Sequence, residues 1–143
     1  MRKFECEQFG RVIVMHLSKG ELVLETIKEE LAKSGVRNAI LTSGIGSLRR
    51  ISIHGIKETT DQPSDYFIDE RKPVELGSMQ GLVLDGQPHI HIVANEPDGT
   101  VYVGHLEPGC EVQFLIELSF IEVKDMDLTR RLDEFGIGYI DKK

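Results

Sequence analysis

The 143-residue chain has no tryptophan, only two cysteines and five prolines. Positive charge is also scarce: 17 Lys+Arg stand against 24 Asp+Glu, a net charge of −7 with histidine neutral. Each shortage excludes something. A protein that grips DNA must neutralise phosphates with clustered Lys and Arg. Here the net field repels phosphate unless a local basic patch overrides it. Cys6 and Cys110 lie far apart and form no CxxC, so two reduced thiols in a cytoplasmic protein are expected. No apolar run approaches the ~18 residues of a membrane span. The opening MRKFECEQFGR has no apolar stretch of the kind a signal peptide needs.

What remains is ordinary for a folded domain. Charged residues make up 29% and aromatics 6%, which is not the composition of a disordered chain. The length predicts one domain over 1–143, able to bury roughly two-thirds of its unfolded surface without disulfide staples.

The pattern along the chain predicts an α+β fold. Val12–Leu17 reads as a strand. Glu21–Ser34 reads as the main helix, with Leu22, Val23, Ile27 and Leu31 on one face. Glu21 and Glu25 sit early in it and Lys33 late, as the helix dipole prefers, and Gly35 stops it. Ala39–Thr42 is a short strand, Gly44–Ser47 breaks it, and Leu48–Ile56 resumes it. Lys57–Ser64 is polar and reads as an exposed loop. Further strands are expected at Tyr66–Ile68, Val74–Leu84, Pro88–Ala94, Thr100–Leu106 and Cys110–Lys124, separated by Asp85-Gly86, Asn95–Gly99 and Glu107–Gly109 turns. Asp127–Phe135 reads as a short terminal helix. The strand spacing implies a largely antiparallel sheet covered by one main helix.

Histidine carries the chemistry. His89 and His91 are two apart on one strand, so their side chains share a face. His105 lies on the next strand. Pairing about a midpoint near position 97 places 89 opposite 105 and 91 opposite 103. Side chains directly across a pair lie about 5 Å apart, so if the strands pair this way three imidazoles can converge on one divalent ion, zinc or a similar metal, with a coordination position left open. A lone strand histidine is usually a hydrogen-bonded structural group, and His16 and His54 read that way. The HxH pair with a cross-strand third is a stronger signal. Glu96, Asp98, Glu107, Glu111 and Glu117 are all near enough in sequence to support the rings. Glu117 is also a candidate base for metal-bound water, although a paired or solvated carboxylate is the plainer reading.

Other motifs carry less. Gly44-Ile45-Gly46-Ser47 lacks the spacing and lysine of a phosphate loop and reads as a bend. Arg49, Arg50 and Lys57 form the nearest approach to a DNA-binding patch, with Arg130-Arg131 and Lys142-Lys143 as smaller basic pairs. Cys110 reads as a small buried hydrophobe.

Taken together, Pro73–Leu76, Ser78–Gly81, Asp85–His91, Asp98-Gly99, Gly104–Leu106 and Glu117 resemble the plants-and-prokaryotes conserved (PPC) domain family, also described as proteins with a PD1-like DNA-binding motif. The likeness runs from about Val12 to Val123. It implies an α+β domain, a homotrimer and, in prokaryotic members, a metal (often zinc) on the histidines matching His89, His91 and His105. Similar plant domains follow AT-hooks, but this chain has no Arg-Gly-Arg core. The plant Gly-Arg-Phe-Glu-Ile-Leu stretch falls on Lys72–Gly77, where only Glu75 is kept.

Three functions follow in order of expectation. The first is a trimeric metal-binding module, regulatory or ligand-binding. The second is a metal-dependent hydrolase or lyase on a small anionic substrate, since three neutral imidazoles leave the ion's charge uncancelled and acidify bound water. Direct DNA binding through Arg49, Arg50 and Lys57 comes third.

Overall fold

The computed structural model describes residues 1–143 and is mostly strand, with one helix. The strands are β1 (Phe9–Ser18), β2 (Ala39–Ile56), β3 (Asp65–Glu70), β4 (Val74–Leu84), β5 (Gln87–Asn95), β6 (Val101–Leu106), β7 (Glu111–Val123), β8 (Leu128–Leu132) and β9 (Gly138–Lys142), with α1 (Val23–Lys33) after β1. All pairings are antiparallel. The order in the large sheet is β1-β7-β2-β4-β5-β6, with β3 on β2. The far end of β2 also meets β6, so β2, β4, β5 and β6 close on one another. Closure pairs part of the β6 edge and brings the last residues of β2 beside the histidine strands.

The α+β class is as expected, and α1 lies inside the predicted segment. Val23, Leu24, Ile27 and Leu31 are its buried side, while Leu22, expected on that face, sits at the N-cap with 39% of its surface exposed. The helix docks its apolar stripe into a cluster of 24 buried residues that includes Ile53, Ile90, Ile92 and Phe120. Strand residues one position away point outward: His54 beside Ile53, and His89 and His91 flanking Ile90. The alternation that builds the core therefore also puts the histidines on the outer surface. Cys110 is fully buried, its sulfur bonded to the Ser52 backbone on both sides, and burial pushes its thiol up to about 11. It is the inert hydrophobe expected.

Two expectations need correction. Gly44–Ser47 bends β2 without breaking it: the strand continues through 18 residues, with register shifts against β7 at Leu41/Ser43, Gly46/Leu48 and Leu48/Arg50. Gly46 has φ +152, and any side chain there would run into the Leu115 carbonyl. The second correction is at the C-terminus. Asp127–Phe135 is not helical. It forms β8 and a turn, and β9 returns along β8. Asp133 explains the choice, because its Oδ1 accepts from the backbone N–H of Phe135 (2.9 Å) and Ile137 (2.8 Å), and Gly136 supplies the positive φ of the reversal. A nine-residue helix has no such local support.

Near the start of the chain, Arg11 grips Glu122 through Nε and Nη2 at 2.9 and 3.0 Å. These bonds and the Arg11 backbone N–H hold the Glu122 carboxyl down to about 2. A carboxyl depressed in the folded state stabilises the fold above its ordinary pKa and loses that contribution as pH falls toward the folded value. Glu122→Gln should cost up to about 1 kcal/mol at pH 7 and flatten the loss of stability between roughly pH 4.5 and 2. Urea melts across that range would read it, and unchanged acid sensitivity in the variant would refute it.

Candidate metal centre

The β4–β5 hairpin starts the site. Its two-residue Asp85-Gly86 turn has φ 51 and 77, the left-handed pair an Asp-Gly turn adopts. Asn38 Oδ1 accepts from the Asp85 backbone N–H at 2.9 Å, and Arg37 and Lys143 hold the Asp85 carboxylate. This fixes β5 against β4, with His89 opposite Leu82 and His91 opposite Gln80.

The β5–β6 register differs from expectation by two residues. Asn95 pairs with Val101, so five residues form the turn, and His91, not His89, lies opposite His105. The Asp98 side chain folds back to the Thr100 N–H at 2.9 Å, which sets the wider loop. The three rings still converge, since His89 is the diagonal neighbour of His105. Centroids are 4.7 Å apart for His89–His105 and 5.5 Å for His91–His105.

One ring nitrogen from each of His89, His91 and His105 lies within 4.8 Å of the other two. The Nε2 atoms of His89 and His91 are 3.2 Å apart. Two nitrogens bound to zinc at 2.0–2.1 Å in a tetrahedron stand about 3.3 Å apart. The His89–His91 pair therefore has the spacing of two ligands on a tetrahedral divalent ion, with a His105 nitrogen within 4.8 Å of both. All three rings have pKa values below the ordinary histidine value, mainly through burial, with Arg130 adding to the effect at His89 and His89 to that at His105. His105 falls to about 4. Neutral imidazole is the form that ligates metal.

Sequence reasoning missed His54. It is paired with His105 across β2 and β6, and the two rings stack at 4.5 Å. On its other side the ring meets Phe67 of β3 at 5.5 Å. Glu107 Oε1 lies 2.5 Å from His54 Nδ1, a contact in which an ionised carboxylate accepts from an Nδ1–H. His54, His105 and Glu107 form a second convergent donor group that shares His105. No spacing rule links 54 to 105, because sheet closure makes that contact.

The four histidines line a cleft of about 980 Å³, walled by the β8–β9 hairpin and the loop around Gln62 and Pro63. Glu117 is elsewhere: it sits on β7 opposite His16 and Ile45, exposed and outside the cleft. Arg50 is engaged by both Asp69 carboxylate oxygens at 2.7 Å, and Arg49 and Arg71 both pair with Glu111. Of the three basic residues singled out in that region, Lys57 alone has no ion pair.

A curled antiparallel sheet carrying one helix and a histidine cluster on its outer face defines a class of small α+β domain. The chain belongs to the Plants and Prokaryotes Conserved (PCC) domain family, whose model matches residues 4–124. It is similar to a plant- and prokaryote-conserved protein from Pyrococcus horikoshii, with 28% identity, TM-score 0.83, and 100% of this chain and 99% of that one covered. It is also similar to a metal-containing protein from Archaeoglobus fulgidus, with 27% identity, TM-score 0.79 and 95% of each chain covered. Among curated proteins it is similar to the bifunctional protein GlmU of Synechococcus sp., 23% identical over 92% of this chain. The chain spans about a fifth of the length of the curated relatives it matches. A Bacteroides thetaiotaomicron protein provisionally named for DNA binding shares the fold at 15% identity, with TM-score 0.74 and 96% of each chain covered. No helix is long and apolar enough to cross a membrane.

Proposed function

We propose that the chain is a single PPC domain over 1–143 that assembles as a homotrimer and holds one divalent ion, zinc, on His89, His91 and His105. It works in the cytoplasm as a binding or regulatory module for a small anionic ligand. The observation that carries this reading is the convergence of three ring nitrogens, two of them at zinc-edge spacing, on an open cleft. The metal-containing Archaeoglobus relative supports it. Self-association is supported by Val12, Val14, Ile45, Val93, Val103 and Phe114, large apolar side chains exposed on the strands. Exposed apolar surface on that scale marks a contact surface. A bound ion would supply a Lewis acid to an oxygen of the ligand.

A second reading, a hydrolase or lyase on the same ligand class, is favoured by one feature: His54, held by Glu107, stands against His105 inside the cleft. Those two groups, not Glu117, are placed to move a proton. Direct DNA binding ranks third, because Arg49 and Arg50 are already neutralised by carboxylates.

Light scattering combined with elemental analysis tests the first reading. A mass of three times the 16.1 kDa chain and one metal per chain are expected. A monomer that takes up no zinc would reject it. In a low-salt mobility-shift assay, duplex DNA should stay free; a shifted band that weakens steeply with salt would restore the DNA reading.

A further inference from the structure

Arg130 stands on β8, beyond the residues that match the family model, and reaches across to the hairpin that carries His89. Its Nη1 donates to the Gln87 carbonyl at 3.0 Å and its Nη2 to the Leu82 carbonyl at 3.4 Å. Gln87 is two residues before His89, and Leu82 is the cross-strand partner of His89. The guanidinium is thus braced by backbone on the rim of the histidine cluster. Two of its five N–H groups are used there, and it makes no ion pair. A braced, uncompensated arginine is a fork for an oxyanion. Burial lowers its pKa from the usual value, an effect an anion would reverse.

The charges around it agree. Among the residues lining the cleft Asp65 is the sole carboxylate, and Glu107 is bonded to His54. With a divalent ion in place, the ion and Arg130 outweigh both, so the cleft is positive on a protein of net charge −7. Ile56, Leu82, Phe135, Ile137 and Ile140 supply apolar walls, which suit a short carbon body.

We propose that Arg130 is the specificity-determining residue of the cleft, binding one oxyanion group of a small organic carboxylate or phosphate whose other end faces the histidine centre. This rests on the metal reading for its second anchor, but the arginine anchor stands on its own contacts. The test is calorimetric titration of zinc-loaded protein with succinate and, separately, inorganic phosphate. Wild type, Arg130→Gln and Arg130→Lys are compared, with metal content and thermal midpoint measured on each.

Arg130→Gln should keep its zinc and lose about 10- to 100-fold in affinity for the favoured anion. Arg130→Lys, which keeps the charge without the fork, should recover part of it. The arm that responds identifies the anion: succinate for a carboxylate, phosphate for a phosphoryl group. Equal affinity in wild type and Arg130→Gln at full zinc, or no binding of either anion to wild type, overturns the proposal while leaving the metal reading intact. If the chain takes up no zinc but Arg130→Gln still weakens anion binding, the metal reading fails and the arginine site stands. Should Arg130→Gln melt early, the lysine variant decides: it must bind more weakly than wild type, and equal affinity refutes the fork.

Discussion

Replacing His105 by alanine is expected to strip the protein of its metal while leaving the fold in place. His105 belongs to both convergent donor groups, and its ring contacts those of His54, His89 and His91. Without it, His89 and His91 are a two-ligand site. Losing a group that merely supports a ligand costs about 10- to 100-fold in metal affinity, so losing a ligand outright should cost more than about 100-fold. His54→Gln is the informative companion. If His54 only supports His105, its loss should fall near 10-fold. The ring at 105 is half-buried and lies outside the core cluster, so the thermal midpoint of metal-free His105→Ala should match that of metal-free wild type. Elemental analysis after dialysis, with chelator competition for affinity, separates the cases. A His105→Ala variant that retains one zinc per chain would show that the ion sits elsewhere.

The clustering of the three histidines was legible in the sequence because β-structure has a period of two. His89 and His91 had to share a face whatever the fold, and a short turn had to bring β6 back alongside β5. The register was less accessible. It depends on whether Glu96 and Thr100 belong to the strands or to the loop, where they bond to each other through the backbone (Glu96 N–H to the Thr100 carbonyl, 2.9 Å) beside the Asp98 side-chain bond to the Thr100 N–H. His54 was invisible for a deeper reason. Its contact with His105 spans 51 positions and exists only because β2 runs for 18 residues and bends at glycine-lined shifts until its end meets β6. The broken strand expected at Gly44–Ser47 hid that reach. The hairpin at 128–142 was misread because Leu128 and Leu132 also fit a helical stripe, while the Asp133 side chain and Gly136 favour a turn. That misreading mattered, since it removed Arg130 from the neighbourhood of the histidines.

Gly81→Ala should damage the fold and the metal centre together. Gly81 lies on β4 between Leu41 of β2 and Ile90 of β5. A methyl group there would collide with the His89 carbonyl and come within 2.9 Å of the Ile90 Cα. Both obstacles are backbone, so no rotamer change relieves the clash, and β5 must move away from β4. His89 and His91 ride on the displaced segment, so their approach to His105 on β6, with ring centroids at 4.7 and 5.5 Å, should open. Overpacking of this sort costs about 3 kcal/mol, roughly 10 °C in Tm for a chain this size. Gly77→Ala supplies the control on the same strand. Its added carbon would meet nothing nearer than the Val93 carbonyl at 3.8 Å, so stability should stay within about 0.5 kcal/mol and zinc binding should be unchanged. If Gly81→Ala melted with wild type and bound zinc as tightly, β4 and β5 could not be as close as their pairing requires. If it melted early yet kept full zinc affinity, the ion would not depend on how β5 holds His89 and His91 against His105, and the three-histidine centre would have to be abandoned.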